Sequence, residues 1–236
     1  MSETAVSRFL ARARSHPERI ALRTLAAGGA AEDRALSWGC WAEQSRRFAA
    51  ALIASGHQPG EAVAILAGNT ETWPVAEMGV LLAGGVAVGL YPTSAPAQVR
   101  QTVEDCAARL LVVEGAEHLD RALAAGAGTP LLVRGVAPDP AWTAWDAWMA
   151  RGVAAVSALN EVTRRAATVR AEQTALLIYT SGSTGTPKGA EIPHRYLVAS
   201  ADSIIQTLGF TGEDTTLSFL PFCHAAERVF GLPTPG

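Results

Sequence analysis

The stretch GEAVAILAGNTETWPVAEMGVLLAGGVAVGL, residues 60–90, sets two short apolar runs on either side of a longer apolar segment. GEAVAILAG reads as a buried strand, and Asn69 or Thr70 is placed to cap the helix that follows. VAEMGVLLAGGVAVGL, residues 75–90, is short for a membrane span, carries Glu77 and is broken by glycines. It reads instead as a buried helix running into a second buried strand.

The same alternation continues outward in both directions. Downstream, Thr93 or Ser94 opens a loop, and Pro96 suits the first turn of a helix. RLLVVE and PLLVRG repeat the strand pattern, with EHLDRALAAG helical between them. Upstream, residues 4–14 place Val6, Phe9, Leu10 and Ala13 on one side of a helix. RIALRTL and ALSW read as short strands, and WAEQSRRFAAALIASG is a helix stopped at Gly56. Strands that are nearly unbroken apolar runs, alternating with helices, indicate an α/β fold: layered, mainly parallel sheets flanked by helices.

Residues 138–172 carry tryptophans and charges in helical register and no strand pattern, so they read as a helical connector whose tryptophans serve packing. Two subdomains are therefore expected: 1–172 with the connector, and 173–236 as the start of a second. In the latter, TALLIY is a strand ending at Thr180, GAEIP is extended, and HRYLVASADSIIQTLG is helical. DTTLSFLP reads as a further strand, and HAAERVFG begins a helix.

Among 236 residues, 49% are hydrophobic and 17% charged, which is a globular rather than a disordered composition. The net charge of −3, with scattered arginines, excludes the basic patch of a nucleic-acid binder. Cys40, Cys106 and Cys223 are far apart and lack zinc spacing; reduced, partly buried thiols of a cytoplasmic protein are expected. The N-terminus has no continuous apolar core of a secretory signal.

TSGSTGTPKG, residues 180–189, ends in Lys188, the one lysine of the sequence; every other basic residue is arginine. Its glycines permit tight turns and close approach of a ligand. Successive backbone N–H groups in such turns make an anion-binding concavity. Ser181, Ser183, Thr184 and Thr186 add hydroxyls, any one of which is able to face a magnesium ion, and Lys188 adds a mobile positive charge. The set suits a polyphosphate, and apolar strands on both sides argue against a flexible linker. It is not an ordinary nucleotide-binding P-loop, because Pro187 precedes the lysine, Gly189 follows it, and the next segment is extended. No GxGxxG follows an early strand either.

YTSGSTGTPKGAEIPH resembles the phosphate-loop signature of the AMP-forming acyl-adenylate superfamily of acyl-CoA synthetases, adenylation domains and luciferases. FLPFCHAAERVFG, residues 219–231, is similar to the LPL.H..ER segment of bacterial long-chain acyl-CoA synthetases. GLYPTSAPAQVRQTVEDCAARLLVVE resembles the corresponding region of that subgroup, so the likeness runs from about residue 5 to 231.

The resemblance implies the N-terminal portion of a long-chain fatty acid–CoA ligase. Its substrates would be a fatty acid, ATP and coenzyme A, with magnesium; fatty substrates partition into bilayers, so peripheral membrane contact is compatible with it. Carried over by motif position, Thr180, Ser181, Gly182, Ser183, Thr184, Gly185 and Thr186 wrap the β- and γ-phosphates. Lys188 and Gly189 lie beside them, and Thr184 is the metal candidate. His224 matches the histidine that lines the junction of acyl pocket, α-phosphate and thiol channel, as an orienting group rather than a base. Glu227 joins it on the substrate side, although Glu227 and Arg228 also read as an ion pair on a helix surface. His16, His57 and His118 read as structural or solvated, and His194 as a cap or packing residue. Alternatives from other classes are a different acyl-, aryl- or amino-acid-adenylating enzyme and a non-catalytic nucleotide-binding module. Family members continue with an adenine-binding section, a magnesium-holding acidic residue and a mobile domain that brings the adenylation lysine. No second lysine is present here, and LPTPG departs from the family pattern, so a truncated chain with weak activity alone is expected.

Overall fold

The computed structural model describes residues 3–25, 34–180 and 188–230. The first helix, α1 (Ala5–Ser15), is closed at its start by reciprocal bonds: the Thr4 hydroxyl accepts from the Ser7 N–H, and the Ser7 hydroxyl accepts from the Thr4 N–H. Strands β1 (Ile20–Thr24) and β2 (Arg34–Ser37) form a separate antiparallel pair leading into α2 (Trp38–Ala54). Then follow β3 (Ala62–Leu66), α3 (Thr72–Leu82), β4 (Val86–Gly89), α4 (Pro96–Asp105), β5 (Leu110–Glu114), α5 (Ala116–Ala125) and β6 (Leu131–Arg134). A two-residue strand, β7 (Thr143–Ala144), precedes α6 (Trp145–Ala154) and α7 (Val156–Thr168). The chain continues with β8 (Thr174–Thr180), β9 (Lys188–Pro193), α8 (His194–Leu208) and α9 (Ala225–Phe230).

The main sheet has seven strands in the order β7-β6-β5-β3-β4-β8-β9, parallel throughout except for the β8–β9 hairpin. The expected mainly parallel α/β architecture is thus present. β8 lies beyond residue 172, yet Ala87 sits opposite Leu176 and Val88 opposite Leu177, so the sheet runs straight through that point.

Alternate residues of each strand go to opposite sides, and both sides are covered. Val63 and Ile65 of β3 and Leu110 and Val112 of β5 meet Phe48, Trp73, Leu81, Trp145 and Val162, from α2, α3, α6 and α7. Ala64, Leu66, Leu111 and Val113 face Val99 and Val103 of α4 and Leu119 and Ala122 of α5. This division obeys the right-handed crossover rule: α3 carries the chain from β3 to β4 on one face, while α4 and α5 carry it the other way on the opposite face. Residues 75–90 are fully packed as α3 and β4, as the sequence indicates. Among the described residues no helix is long and apolar enough to cross a membrane.

The connector's tryptophans do pack: Trp145 and Trp148 both lie against Phe48, with ring centroids 5.7 and 5.8 Å away. α6 approaches α2 so closely that a Cβ on Gly152 would come within 2.0 Å of the Arg47 carbonyl oxygen. Arg165 of α7 donates to the carbonyls of His57 and Ala83, at 2.9 and 3.1 Å, tying the connector under the sheet.

Two expectations need correction. Residues 138–172 do contain a strand, because Thr143 and Ala144 pair with Leu132 and Val133. DTTLSFLP is not a strand; Leu217 and Phe219 are 75% and 77% exposed, and the alternating pattern finds no neighbouring strand among the described residues. The cysteines are free, with Cys40 exposed, Cys106 half-buried and Cys223 buried, and burial pushes the last two thiols up to about 11.

His57 and His194 are 3% and 2% exposed, and burial pushes both rings down to about 4. Neither His57 nitrogen has a hydrogen-bond partner among the described residues; the Glu61 carboxylate, 3.5 Å from Nδ1, offsets the burial only in part, while Arg165 and Arg109 add to it. A neutral ring makes no ion pair, so packing, not charge, holds His57. Unfolded histidines take up protons near 6.5, and these do so only near 4. Stability is therefore full above about pH 6.5 and falls as pH drops toward 4, by up to roughly 3 kcal/mol per ring. Urea unfolding at about pH 7.5 and about pH 4.5 is expected to show this loss, and His194→Leu is expected to remove part of the slope.

Candidate functional site

All parallel strands end on one edge of the sheet, where ligands of open α/β folds bind. Three structures gather there: the turn after β3, the mouth of the β8–β9 hairpin, and residues 220–228.

The hairpin supplies the stems of the Ser/Thr/Gly loop. Thr180 is opposite Lys188, and Tyr179 is opposite Gly189. The Tyr179 ring covers Gly189, where a Cβ would lie 3.1 Å from the ring, and the Tyr179 hydroxyl donates to Asp105 at 2.5 Å. Burial, then the Asp105 hydrogen bond, raises the Tyr179 pKa, so the phenol stays a donor and fastens the hairpin to α4. Lys188 is exposed and forms no ion pair among the described residues. Ser181, Gly182, Ser183, Thr184, Gly185 and Thr186 lie outside the described residues. Among the described residues no group of three or more His, Cys, Asp or Glu side chains gathers to hold a metal ion.

The turn after β3 is braced from below. The Thr70 and Thr72 hydroxyls donate to Glu114, at 2.8 and 2.5 Å. Arg134 donates to the Thr72 hydroxyl at 3.0 Å and pairs with Glu71. Neither Asn69 nor Thr70 is the N-cap of α3, a position held by Glu71 without a side-chain bond, although the Thr70 hydroxyl accepts from the Thr72 N–H. Asn69 reaches elsewhere: its Nδ2 donates to the Leu220 carbonyl at 2.6 Å, and its Oδ1 accepts from the Phe222 N–H at 2.9 Å.

Residues 220–228 are thereby held over the ends of β3 and β4. Gly89, last residue of β4, meets them: a Cβ there would lie 2.9 Å from both Arg228 Nη2 and Cys223 Cβ. His224, half-buried, turns on its own backbone, its N–H donating to the Pro221 carbonyl at 2.7 Å. Its Nδ1 accepts from the Ala226 N–H at 3.2 Å, which leaves the neutral ring with its proton on Nε2. In that tautomer Nε2–H is a hydrogen-bond donor and not an acceptor. No strand leads up to His224, contrary to expectation.

The surface ion pair between Glu227 and Arg228 is also corrected. Both residues are buried, and Glu227 makes no ion pair among the described residues. Arg228 instead meets Glu77 of α3, Nη2 to Oε2 at 3.0 Å, a charge contact without the alignment of a hydrogen bond. Its Nε donates to the Phe222 carbonyl at 3.2 Å, and its guanidinium lies 5.4 Å over the Trp73 ring. The Trp73 indole N–H donates to the same Glu77 carboxylate at 2.8 Å. Sequence reasoning used Glu77 only as evidence against a membrane span; the signal was there, since it is the one charge in residues 75–90.

A family model described as "AMP-binding enzyme" matches residues 9–235. The chain belongs to that family. It is 33% identical over 199 residues to the long-chain-fatty-acid–CoA ligase FadD15 of Mycobacterium bovis, covering 81% of this chain and 32% of that protein. It is 28% identical over 211 residues to the long-chain-fatty-acid–CoA ligase ACSBG2 of Rattus norvegicus, covering 80% and 30%. The solved fatty acyl-adenylate ligase from L. pneumophila, in complex with acyl adenylate and pyrophosphate, matches with a TM-score of 0.73. That match has 21% identity and covers 100% of this chain and 38% of the other, a likeness of fold. The chain thus spans about a third of the length of the curated relatives it matches.

In this member of the AMP-binding family the edge residues depend on the Arg228–Glu77 contact. Arg228→Met leaves the Glu77 carboxylate buried without its cation and is expected to cost about 3 kcal/mol or more. Adding Glu77→Gln, which still accepts from Trp73, is expected to recover most of that loss, measured as urea-unfolding midpoints of the two variants.

Proposed function

We propose that this chain carries the phosphate-binding hairpin and part of the acyl-facing wall of an AMP-forming long-chain fatty acid–CoA ligase. A fatty carboxylate oxygen attacks the α-phosphorus of ATP, the bond to the β-phosphate bridging oxygen breaks, and pyrophosphate leaves. The thiolate of coenzyme A then attacks the acyl carbonyl of the acyl-AMP, and AMP leaves. The observation that carries the reading is the β8–β9 hairpin opening at the carboxyl edge of the parallel sheet, on the strand next to β4, whose last residue touches the 220–228 segment. The long-chain-fatty-acid–CoA ligases among the relatives support the choice of acid.

In this reading the loop residues Thr180 to Thr186 enclose the β- and γ-phosphates, and Gly189 keeps the stem narrow. Lys188 follows the phosphates with its flexible side chain while its backbone stays strand-paired with Thr180. A magnesium ion, when bound, would neutralise phosphate charge, and Thr184 is the residue that would meet it. His224 offers Nε2–H to the oxygen on which charge builds, a positioning and electrostatic task that needs no change of protonation. The carboxylate nucleophile is already ionised at neutral pH, so no base is required. Glu227, buried on the first turn of α9, is the residue assigned to the acyl side.

The test is equilibrium binding of ATP and of pyrophosphate to the purified chain. Lys188→Ala removes a charge-assisted contact and is expected to weaken both by about tenfold or more; Lys188→Arg is expected to fall between. Equal affinity for native chain and Lys188→Ala sinks the phosphate seat. His224→Asn, whose side-chain oxygen can still cap α9, is expected to leave ATP affinity unchanged while weakening acyl-adenylate binding.

A further inference from the structure

We propose that Asn69 is a positioning residue for His224: its side-chain amide, rather than any regular secondary structure, sets the course of residues 220–224 and so the direction of the His224 Nε2–H. The inference rests on the ligase reading for its purpose and on the structure for its geometry.

Asn69 makes both bonds of a strand pair with one planar group. Nδ2 donates to the Leu220 carbonyl and Oδ1 accepts from the Phe222 N–H, across more than 150 residues of chain. The amide orientation is settled by the partners, since a backbone N–H can meet only the oxygen. Pro221 between them has no N–H, so it offers no third bond to hold the segment. Before it, Leu217 and Phe219 project into solvent and pair with no strand among the described residues. After it, a turn bond from the His224 N–H to the Pro221 carbonyl, the Arg228 Nε bond to the Phe222 carbonyl and the Ala226 N–H bond to the imidazole Nδ1 complete the path to the ring. Phe222, whose N–H Asn69 binds, packs on Trp73 with ring centroids 6.4 Å apart, and Cys223 beside it lies on Gly89.

The amide itself is held from the other side. Thr70 and Thr72 grip Glu114 at the end of β5, and Arg134 at the end of β6 grips Thr72 and Glu71. Placement is therefore passed from β5 and β6, through the turn, to Asn69 and on to His224. The chemistry needs asparagine. Aspartate has no donor for the Leu220 carbonyl and would set a carboxylate against it, and glutamine carries one methylene too many to hold both bonds at this spacing.

The test reads the His224 ring directly. Nitrogen–proton NMR of the labelled chain, without nucleotide or acid, is expected to show His224 as a single tautomer with a bare Nδ1, its signal assigned by its absence in His224→Asn. Asn69→Ala is expected to lose that pattern, giving an exchanging mixture of tautomers while unfolding stays cooperative. Asn69→Asp, which keeps the acceptor for Phe222, is expected to show a smaller change. An unaltered tautomer in Asn69→Ala overturns the proposal. So does a change seen in both variants only together with loss of cooperative unfolding. Because no substrate is present, failure of the ligase reading would leave a positive result standing.

Discussion

A guanidinium buried beside a carboxylate is the constraint on which the carboxyl edge depends. Neither Arg228 nor Glu77 could be buried alone, because an isolated charge in the interior costs several kcal/mol. Together they are tolerated, yet the geometry is not what stability alone would select. Nη2 approaches Oε2 at 3.0 Å without a hydrogen-bond angle, and Nη1 has no hydrogen-bond partner among the described residues. The pair's contribution is therefore positional. It draws α9 down onto α3, puts the guanidinium over Trp73, and brings Arg228 and Cys223 so near β4 that residue 89 has no room for a Cβ.

The winding of the sheet explains where open ground remains. Connections leave β3 and β5 toward opposite faces, so a crevice is expected between the ends of these two strands. In this chain Glu114, Thr70 and Thr72 fill that crevice with their own hydrogen bonds. A ligand placed there would have to displace a satisfied carboxylate. The neighbouring ground, over β4, β8 and β9, has no such filling network among the described residues, and it is bordered by the hairpin on one side and by His224 on the other.

How much of this was legible depended on whether a pattern was local. Residues 60–90 announced a buried strand, helix and strand because their apolar runs have the length and the glycine breaks of those elements, and no context was needed. The connector's helices and packing tryptophans were legible for the same reason. β7 was not, since two residues carry no periodicity; Thr143 and Ala144 are a strand only because Leu132 and Val133 lie beside them. Thr215, Leu217 and Phe219 carry the alternation of a strand, but a strand is a pairing, and none is made among the described residues. Glu227–Arg228 looked like a surface pair because adjacent opposite charges usually are one. Its real partner, Glu77, lies 151 positions away, and Asn69 likewise acts on residues remote in sequence. The site motifs were legible as motifs; the bracket that aims His224 was not, since each of its bonds joins distant parts of the chain.

The distribution of charge bears on the choice of a single lysine. At this edge Glu114 is engaged by two threonines, Glu71 by Arg134, and Glu77 by Arg228 and Trp73. Arginine does this internal work well, because its planar fork and weak hydration let it stack on rings and bridge several acceptors while buried. The same properties would make an arginine at residue 188 prone to settle on one of those carboxylates. Lysine is strongly hydrated and mobile, and Lys188 stays exposed at the hairpin stem with no ion pair among the described residues. Under the proposed ligase reading, the group that meets the polyphosphate and then lets pyrophosphate go is suited to be a cation that the fold itself does not retain.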